Sequence, residues 1–249
     1  MVCPANDQPR ILFLDIETKL IEVRAFGIRD QYLDIKQIRD IPASARGVHC
    51  VGMKWAGERK VRVLSEWEHG YEAMIRGTHE ALCEADAVCT YNGAKFDLPK
   101  LDGQFALLKM GLPPPPTQID LFLTARKMGF PSSKLDYIAQ AFGLGHKVKH
   151  PGLEMWDKVL DGCEKSQRKM AKYCAGDIRL TEEVHDRLRP YIRNYPRLPG
   201  RQGDTCPNCG TGTLTSQGSK GRATRYYKVQ SLKCNHCSAW SLGKREKIA

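Results

Sequence analysis

The chain has 249 residues, 41% of them hydrophobic and 27% charged, an ordinary globular balance that excludes wholesale disorder. No stretch approaches the ~20 consecutive apolar residues of a membrane helix, and residues 1–10 lack the basic-then-apolar pattern of a secretory leader, so membrane and secreted classes are set aside. The net charge is +11, and residues 196–249 hold 10 basic and 2 acidic residues, a tail basic enough to point to a polyanionic partner.

Residues 10–15 are a short apolar run ending in an acid, the pattern of a buried strand whose carboxyl end meets a site. Residues 18–44 alternate charges and carry few signals. Residues 48–55 and 60–67 read as two strands joined by a hairpin turn at 56–59. The spacing of Met74, Ile75, Ala81 and Leu82 predicts a helix over 71–85, followed by a buried strand over 87–91. Leu101, Phe105 and Leu108 predict a helix over 98–110, stopped by Gly111 and the stiff proline run 113–116. A last strand over 118–122, a helix over 135–142 and a long helix over 166–193 complete the series. Strands first, then strands interleaved with helices, make an α/β layer with a mixed sheet flanked by helices. Pro196, Pro199, Gly200 and Gly203 then mark a linker, dividing the chain into 1–195 and 196–249.

The ten cysteines, without an export signal, read as reduced thiols of a cytoplasmic protein. Four of them form two tight pairs, Cys206/Cys209 and Cys234/Cys237, 24 residues apart, the paired knuckles of a zinc ribbon around one structural Zn²⁺. Between the pairs, residues 222–232 alternate like a hairpin. Arg222, Arg225, Tyr226, Tyr227 and Lys228 set cations beside aromatics, a mixture suited to single-stranded nucleic acid. A purely structural knuckle is the competing reading.

The acids carry the chemistry. Asp15 and Glu17 sit two apart at a strand end, so both carboxylates leave one face, and two ionised carboxylates that close call for a cation. Asp97 follows another strand end, after an Asn92-Gly93 turn and a Phe96 that would bury the loop. Tyr173 and Asp177 are four apart on the last helix, on the face continued by Leu180, Val184 and Leu188. An aspartate on an inward stripe costs several kcal/mol unless it is paired or bound to metal, and a salt bridge to an arginine is the competing explanation. Together, three strand-end carboxylates and one helical carboxylate are what two divalent cations require, and all-oxygen ligation favours Mg²⁺ or Mn²⁺. His146, His150 and His185 form no metal spacing and read as solvated or core histidines.

In this order the motifs Asp15-Ile16-Glu17, Asn92 to Asp97 and Tyr173 to Asp177 resemble those of the DEDD superfamily of 3′–5′ exonucleases. The resemblance runs over roughly residues 10–193. It is closest to the tyrosine subclass, in particular the proofreading exonuclease domain of family B DNA polymerases and stand-alone viral relatives. The histidine subclass would place His where Lys172 stands. The resemblance implies a ribonuclease-H-like fold and a two-metal exonuclease. Asp15, Glu17 and Asp177 would hold the metal that activates water, with Asp15 bridging to a second metal supported by Asp97. Tyr173 would orient the water, Asn92 and Phe96 would hold the 3′-terminal nucleotide, and Asp120 and Lys134-Leu135-Asp136, which lie where relatives carry similar residues, are fold or phosphate-contact candidates. The substrate class implied is single-stranded DNA or a frayed 3′ end, in replication or repair, alongside a replication or recombination protein, and in host cytoplasm if the source is viral. An RNA-trimming exonuclease and a catalytically silent adaptor working through the zinc ribbon are the alternatives.

Overall fold

The computed structural model describes residues 10–25, 34–114, 116–192, 205–206, 209, 212–217, 222–223 and 227–247. The first strand, β1 (Ile11–Thr18), leads through a 3₁₀ turn and the short α1 (Ile41–Ala45) to β2 (Val48–Trp55) and β3 (Arg62–Ser65). There follow α2 (Glu66–His69), α3 (Tyr71–Glu84), β4 (Ala87–Thr90), α4 (Asp97–Leu107) and β5 (Thr117–Asp120). Then come α5 (Leu121–Lys127), α6 (Leu135–Ala141), α7 (Leu153–Leu160) and the 25-residue α8 (Glu164–Leu188). The five strands form one mixed sheet in the order β3-β2-β1-β4-β5, with β1 antiparallel to β2 and parallel to β4. β2 and β3 pair antiparallel as the hairpin reading requires, and β4 and β5 pair in parallel.

Three local readings need correction. The strand expected over 60–67 ends at Ser65, because Glu66 and Trp67 open the one-turn α2. The strand expected over 118–122 ends at Asp120, whose side chain accepts the Phe122 N–H at 3.0 Å and caps α5. α7 was not anticipated; eight residues are too few for a periodic pattern to declare itself.

β1 lies at the centre of the sheet, and its alternation builds both layers. Leu12, Leu14 and Ile16 pack with residues of α3 and α4, including Met74, Ile75, Leu101 and Phe105. Ile11 and Phe13 face the other way, into a cluster with Ile138 of α6 and Ile178, Val184 and Leu188 of α8. Each such side chain contributes roughly 1.5–3 kcal/mol by leaving water. Asp15 and Glu17 continue this second face, so the strand's α8 side turns from hydrocarbon to carboxylate within one chain length.

One glycine sets how closely α8 can lie on that face. Gly52 is the β2 partner of Asp15, and a Cβ there would stand 2.8 Å from Cys174 Sγ and 2.9 Å from Ile178 Cγ1. Helix and sheet meet over bare backbone, which brings Asp177 down to the acids of β1.

The second unit is a small antiparallel sheet of β6 (Leu214–Ser216), β7 (Arg222–Ala223), β8 (Tyr227–Cys234) and β9 (Trp240–Lys247), with β8 pairing all three others. The sulfurs of Cys206, Cys209, Cys234 and Cys237 lie within 4.8 Å of one another, a tetrathiol cluster that fits zinc. The linker and the cation–aromatic residues Arg225 and Tyr226 lie outside the described residues. Trp240 is half exposed, with the Lys233 amine 5.8 Å from its ring centre. Among the described residues no helix is long and apolar enough to cross a membrane.

Two glycine substitutions separate close packing from backbone freedom. Gly52→Ala should lower stability by about 1–3 kcal/mol, because the added carbon overpacks the α8 contact. Gly103→Ala in α4, where nothing lies within 4 Å, should raise it by roughly 0.5–1 kcal/mol. Urea unfolding midpoints of the two variants measure both signs.

Candidate active site

Four carboxylates come together where β1, the start of α4 and the middle of α8 meet. Asp15 and Glu17 stand on β1, and their carboxylate oxygens lie within 4.8 Å of each other. Asp97 is the first residue of α4 rather than its cap, a place taken by Phe96. It is buried, and its Oδ1 accepts the Ile16 N–H of β1 at 3.0 Å, which ties the second motif to the first. Asp177 is 3% exposed and approaches from α8.

The turn that carries Asp97 is built for this. Asn92 has φ 71°, a left-handed conformation that asparagine tolerates better than most residues. A Cβ on Gly93 would sit 2.5 Å from Thr90, so only glycine fits. Asp120 accepts the N–H groups of Asn92 at 3.0 Å and Ala94 at 3.3 Å, which makes it the anchor of this loop.

Crowding carboxylates in a partly dry site raises their affinity for protons. Burial, then the charges of Asp97, Glu17 and Asp177, push Asp15 well above the usual carboxylate range. Glu17 rises to about 8, through burial first and Asp177 second. Asp97 rises to about 6, again chiefly by burial, with the Ile16 N–H pulling the other way. Asp177 is raised by burial and partly relieved by Lys147.

Lys147 is the resident cation and was not singled out from the sequence. Its ammonium lies 2.6 Å from Asp177 Oδ2 and 5.0 Å from the centre of the Tyr173 ring. Burial works against that ammonium, but Asp177 and the Tyr173 hydroxyl outweigh it and hold its pKa above that of free lysine. Thus the ion-pair partner of Asp177 is a lysine, not the arginine of the competing reading. The strap carrying it, residues 146–150, is fixed at both faces. Asp136 accepts the Lys147 N–H at 2.7 Å, and a Cβ on Gly176 would stand 2.8 Å from Val148, so α8 makes room for the strap with a glycine.

One lysine does not satisfy the cluster. Asp177 Oδ1 is buried without a hydrogen-bond partner, and all four carboxylates stay raised despite Lys147 beside Asp177 and the more distant Lys100 acting on Asp97. An orphaned carboxylate oxygen amid repelling neighbours fits a divalent cation, and the oxygen donors suit Mg²⁺ or Mn²⁺.

Tyr173 is buried on the same helix face, in hydrogen-bonding contact with Lys147 and Asp177. Burial and the Asp177 charge raise its phenol further above the ordinary value, so it stays protonated. Its ring meets the His150 ring edge-on at 4.8 Å, and His150 in turn meets Trp156 at 5.1 Å. His150 is thus solvent-exposed at the rim of the site, whereas His185 is buried against Phe13 as a core histidine.

Two grooves flank this aromatic wall. One, of about 370 Å³, is lined by Asp136, His146, Lys147, Val148, Lys149, His150 and Tyr173. The other, of about 420 Å³, runs from Glu17 past Leu20, Phe96, Leu153 and Trp156. Phe96 is exposed on it, with the Lys100 ammonium 5.0 Å from its ring centre. The linings of these two grooves do not include Asn92, which contributes backbone to the Asp97 turn.

Comparison with known proteins agrees with this fold. A family described as RNase_H superfamily matches residues 40–189. Among solved structures, the family B DNA polymerase from the hyperthermophilic archaeon Pyrobaculum calidifontis superposes with a TM-score of 0.55 at 20% identity, covering 74% of this chain, which shows a common fold. The chain spans 25% of that polymerase's length. No curated protein matches the sequence.

The raised carboxylates imply a pH dependence of metal-free stability. Below about pH 4.5 Glu17 is protonated both folded and unfolded; between there and about 8 the folded state alone keeps its proton. Native protons in excess mean that stability falls as pH rises through this window. Thermal unfolding of the metal-free protein at pH 5 and pH 8 should show the higher midpoint at pH 5. Saturating Mn²⁺ should shrink the difference or reverse its sign.

Proposed function

The chain belongs to the RNase H superfamily, and on that premise we propose that it is a divalent-metal-dependent 3′–5′ exonuclease acting on the 3′ end of single-stranded or frayed DNA. The observation that carries this reading is the convergence of Asp15, Glu17, Asp97 and Asp177 beside the Tyr173 phenol. A fold alone needs no four carboxylates facing one lysine, since their repulsion costs stability.

Asp15, Glu17 and Asp177 would hold one Mg²⁺ or Mn²⁺, and Asp15 with Asp97 a second. Such a pair supplies a hydroxide at neutral pH and positive charge for the leaving oxygen. The chain's own residues do the rest. Tyr173, kept neutral, orients the attacking water through its hydroxyl and is too poor a base to take its proton. Lys147 brings a fixed positive charge to the edge of the site, where a scissile phosphate adds negative charge. The apolar groove beside Glu17 accepts the terminal base against Phe96, with Asn92 steadying the turn that presents it. The groove lined by Lys147, Lys149 and His146 follows the phosphates. Residues 1–195 form the exonuclease unit. Residues 196–249 supply a zinc ribbon that adds basic surface for the strand.

The test is direct. Single-stranded DNA and RNA of one sequence, labelled at the 5′ end, are incubated with Mg²⁺ or Mn²⁺. A ladder shortening from the 3′ end, stronger on DNA, supports the reading. Faster trimming of RNA would make the enzyme an exoribonuclease, and internal cuts alone would overturn the exonuclease assignment.

Two variants assign the residues. Asp15→Ala or Asp177→Ala should abolish nucleotide release while leaving the metal-free protein as stable as before or more so, since repulsion is relieved. Circular dichroism melts beside the cleavage assay read both. Tyr173→Phe should slow single-turnover release by no more than about a hundredfold, the scale of one lost positioning hydrogen bond.

A further inference from the structure

The acids of the site share their space with sulfur. Cys174 follows Tyr173 on α8 and is fully buried, yet its Sγ lies within 4.8 Å of carboxylate oxygens of both Asp15 and Glu17. Two features hold it there. Gly52 leaves the slot that the sulfur fills, since a Cβ at that position would come to 2.8 Å from it. Cys50, the β2 partner of Glu17, gives its own thiol as a hydrogen-bonding neighbour. A second observation points to a ligand beside these acids: Asp177, whose charge bears on both Asp15 and Glu17, is 3% exposed and its Oδ1 has no hydrogen-bond partner.

Resting on the nuclease reading above, we infer that Asp15, Glu17 and Cys174 form a binding site for thiophilic divalent cations such as Zn²⁺, Cd²⁺ and Co²⁺, which compete with the hard ions of catalysis. The distinction is one of ligand softness. Mg²⁺ and Mn²⁺ take the carboxylates and leave the thiol protonated. A thiophilic ion displaces the thiol proton and gains a metal–sulfur bond of about 2.3 Å, with two carboxylates completing the set. The ion enters from the acid side, where Asp15 is half-buried, and the sulfur closes the site from behind. Because it uses both β1 acids, an ion so bound excludes the catalytic pair. The site is therefore inhibitory, and separate from the tetrathiol cluster of the tail.

Full-length protein with zinc in its tail cysteines is titrated with Co²⁺, alongside Cys174→Ser, Cys174→Ala and Cys50→Ser. The tail is common to all four and cancels in difference spectra. Wild type and Cys50→Ser should develop a sulfur-to-cobalt charge-transfer band that both Cys174 variants lack. Zn²⁺ inhibition, scaled to each protein's own Mg²⁺-supported rate, should weaken roughly tenfold or more in the Cys174 variants, as loss of a metal contact does. A band of equal intensity in wild type and both Cys174 variants, or no band in wild type, overturns the inference. Release from DNA with Zn²⁺ inhibition indifferent to Cys174 overturns it while leaving the exonuclease reading intact. A Cys174-dependent band in a protein that releases no nucleotide does the reverse.

Discussion

Mutual repulsion among four buried carboxylates is the constraint around which this molecule is arranged. Even with the contacts the fold provides, Asp15, Glu17, Asp97 and Asp177 each hold a proton to higher pH than a free carboxyl does. The fold answers with the Ile16 N–H to Asp97, the Lys147 ammonium to Asp177 and the Tyr173 hydroxyl between them. These offset the cost without cancelling it. That residual cost is what the proposed nuclease would recover on binding its metal ions, giving up stability where chemistry is gained.

Backbone devices place those charges. β1 carries hydrocarbon and carboxylate on the same face, so one strand both anchors α8 and supplies half the acids. Gly52 and Gly176 remove side chains where α8 meets the sheet and where the 146–150 strap meets α8. Gly93 does the same for the turn ahead of Asp97. Three close approaches, each at a glycine, converge on one cluster of side chains.

Much of this was legible in the sequence, for identifiable reasons. An acid pair at the end of an apolar run, and an aspartate on an apolar helical stripe, are costly enough to stand out, and both sit at the site. The mixed sheet follows from the hairpin and the interleaved helices, and α3, α4, α6 and α8 fall within a few residues of their expected bounds. Lys147 and His150 escaped because a lysine and a histidine in an irregular strap look like any solvated pair. Their meaning comes from Asp136 and Gly176, 11 residues before and 29 after Lys147 in the chain, and no local pattern joins them. α5 escaped because it starts at the residue after β5, with no loop between to announce it. Asp120, a candidate from its position, serves as a loop anchor and helix cap.

The strand lengths have a consequence for behaviour in concentrated solution. The two eight-residue strands of the five-stranded sheet, β1 and β2, are interior, whereas both its borders, β3 and β5, are four residues long and run directly into helices. A border strand exposes a row of unpaired amides and carbonyls that another chain can adopt as a template. Here each row is too short to hold a foreign strand in register. Many copies crowded along one polyanion would thus meet without the five-stranded sheet of one becoming the seed of the next.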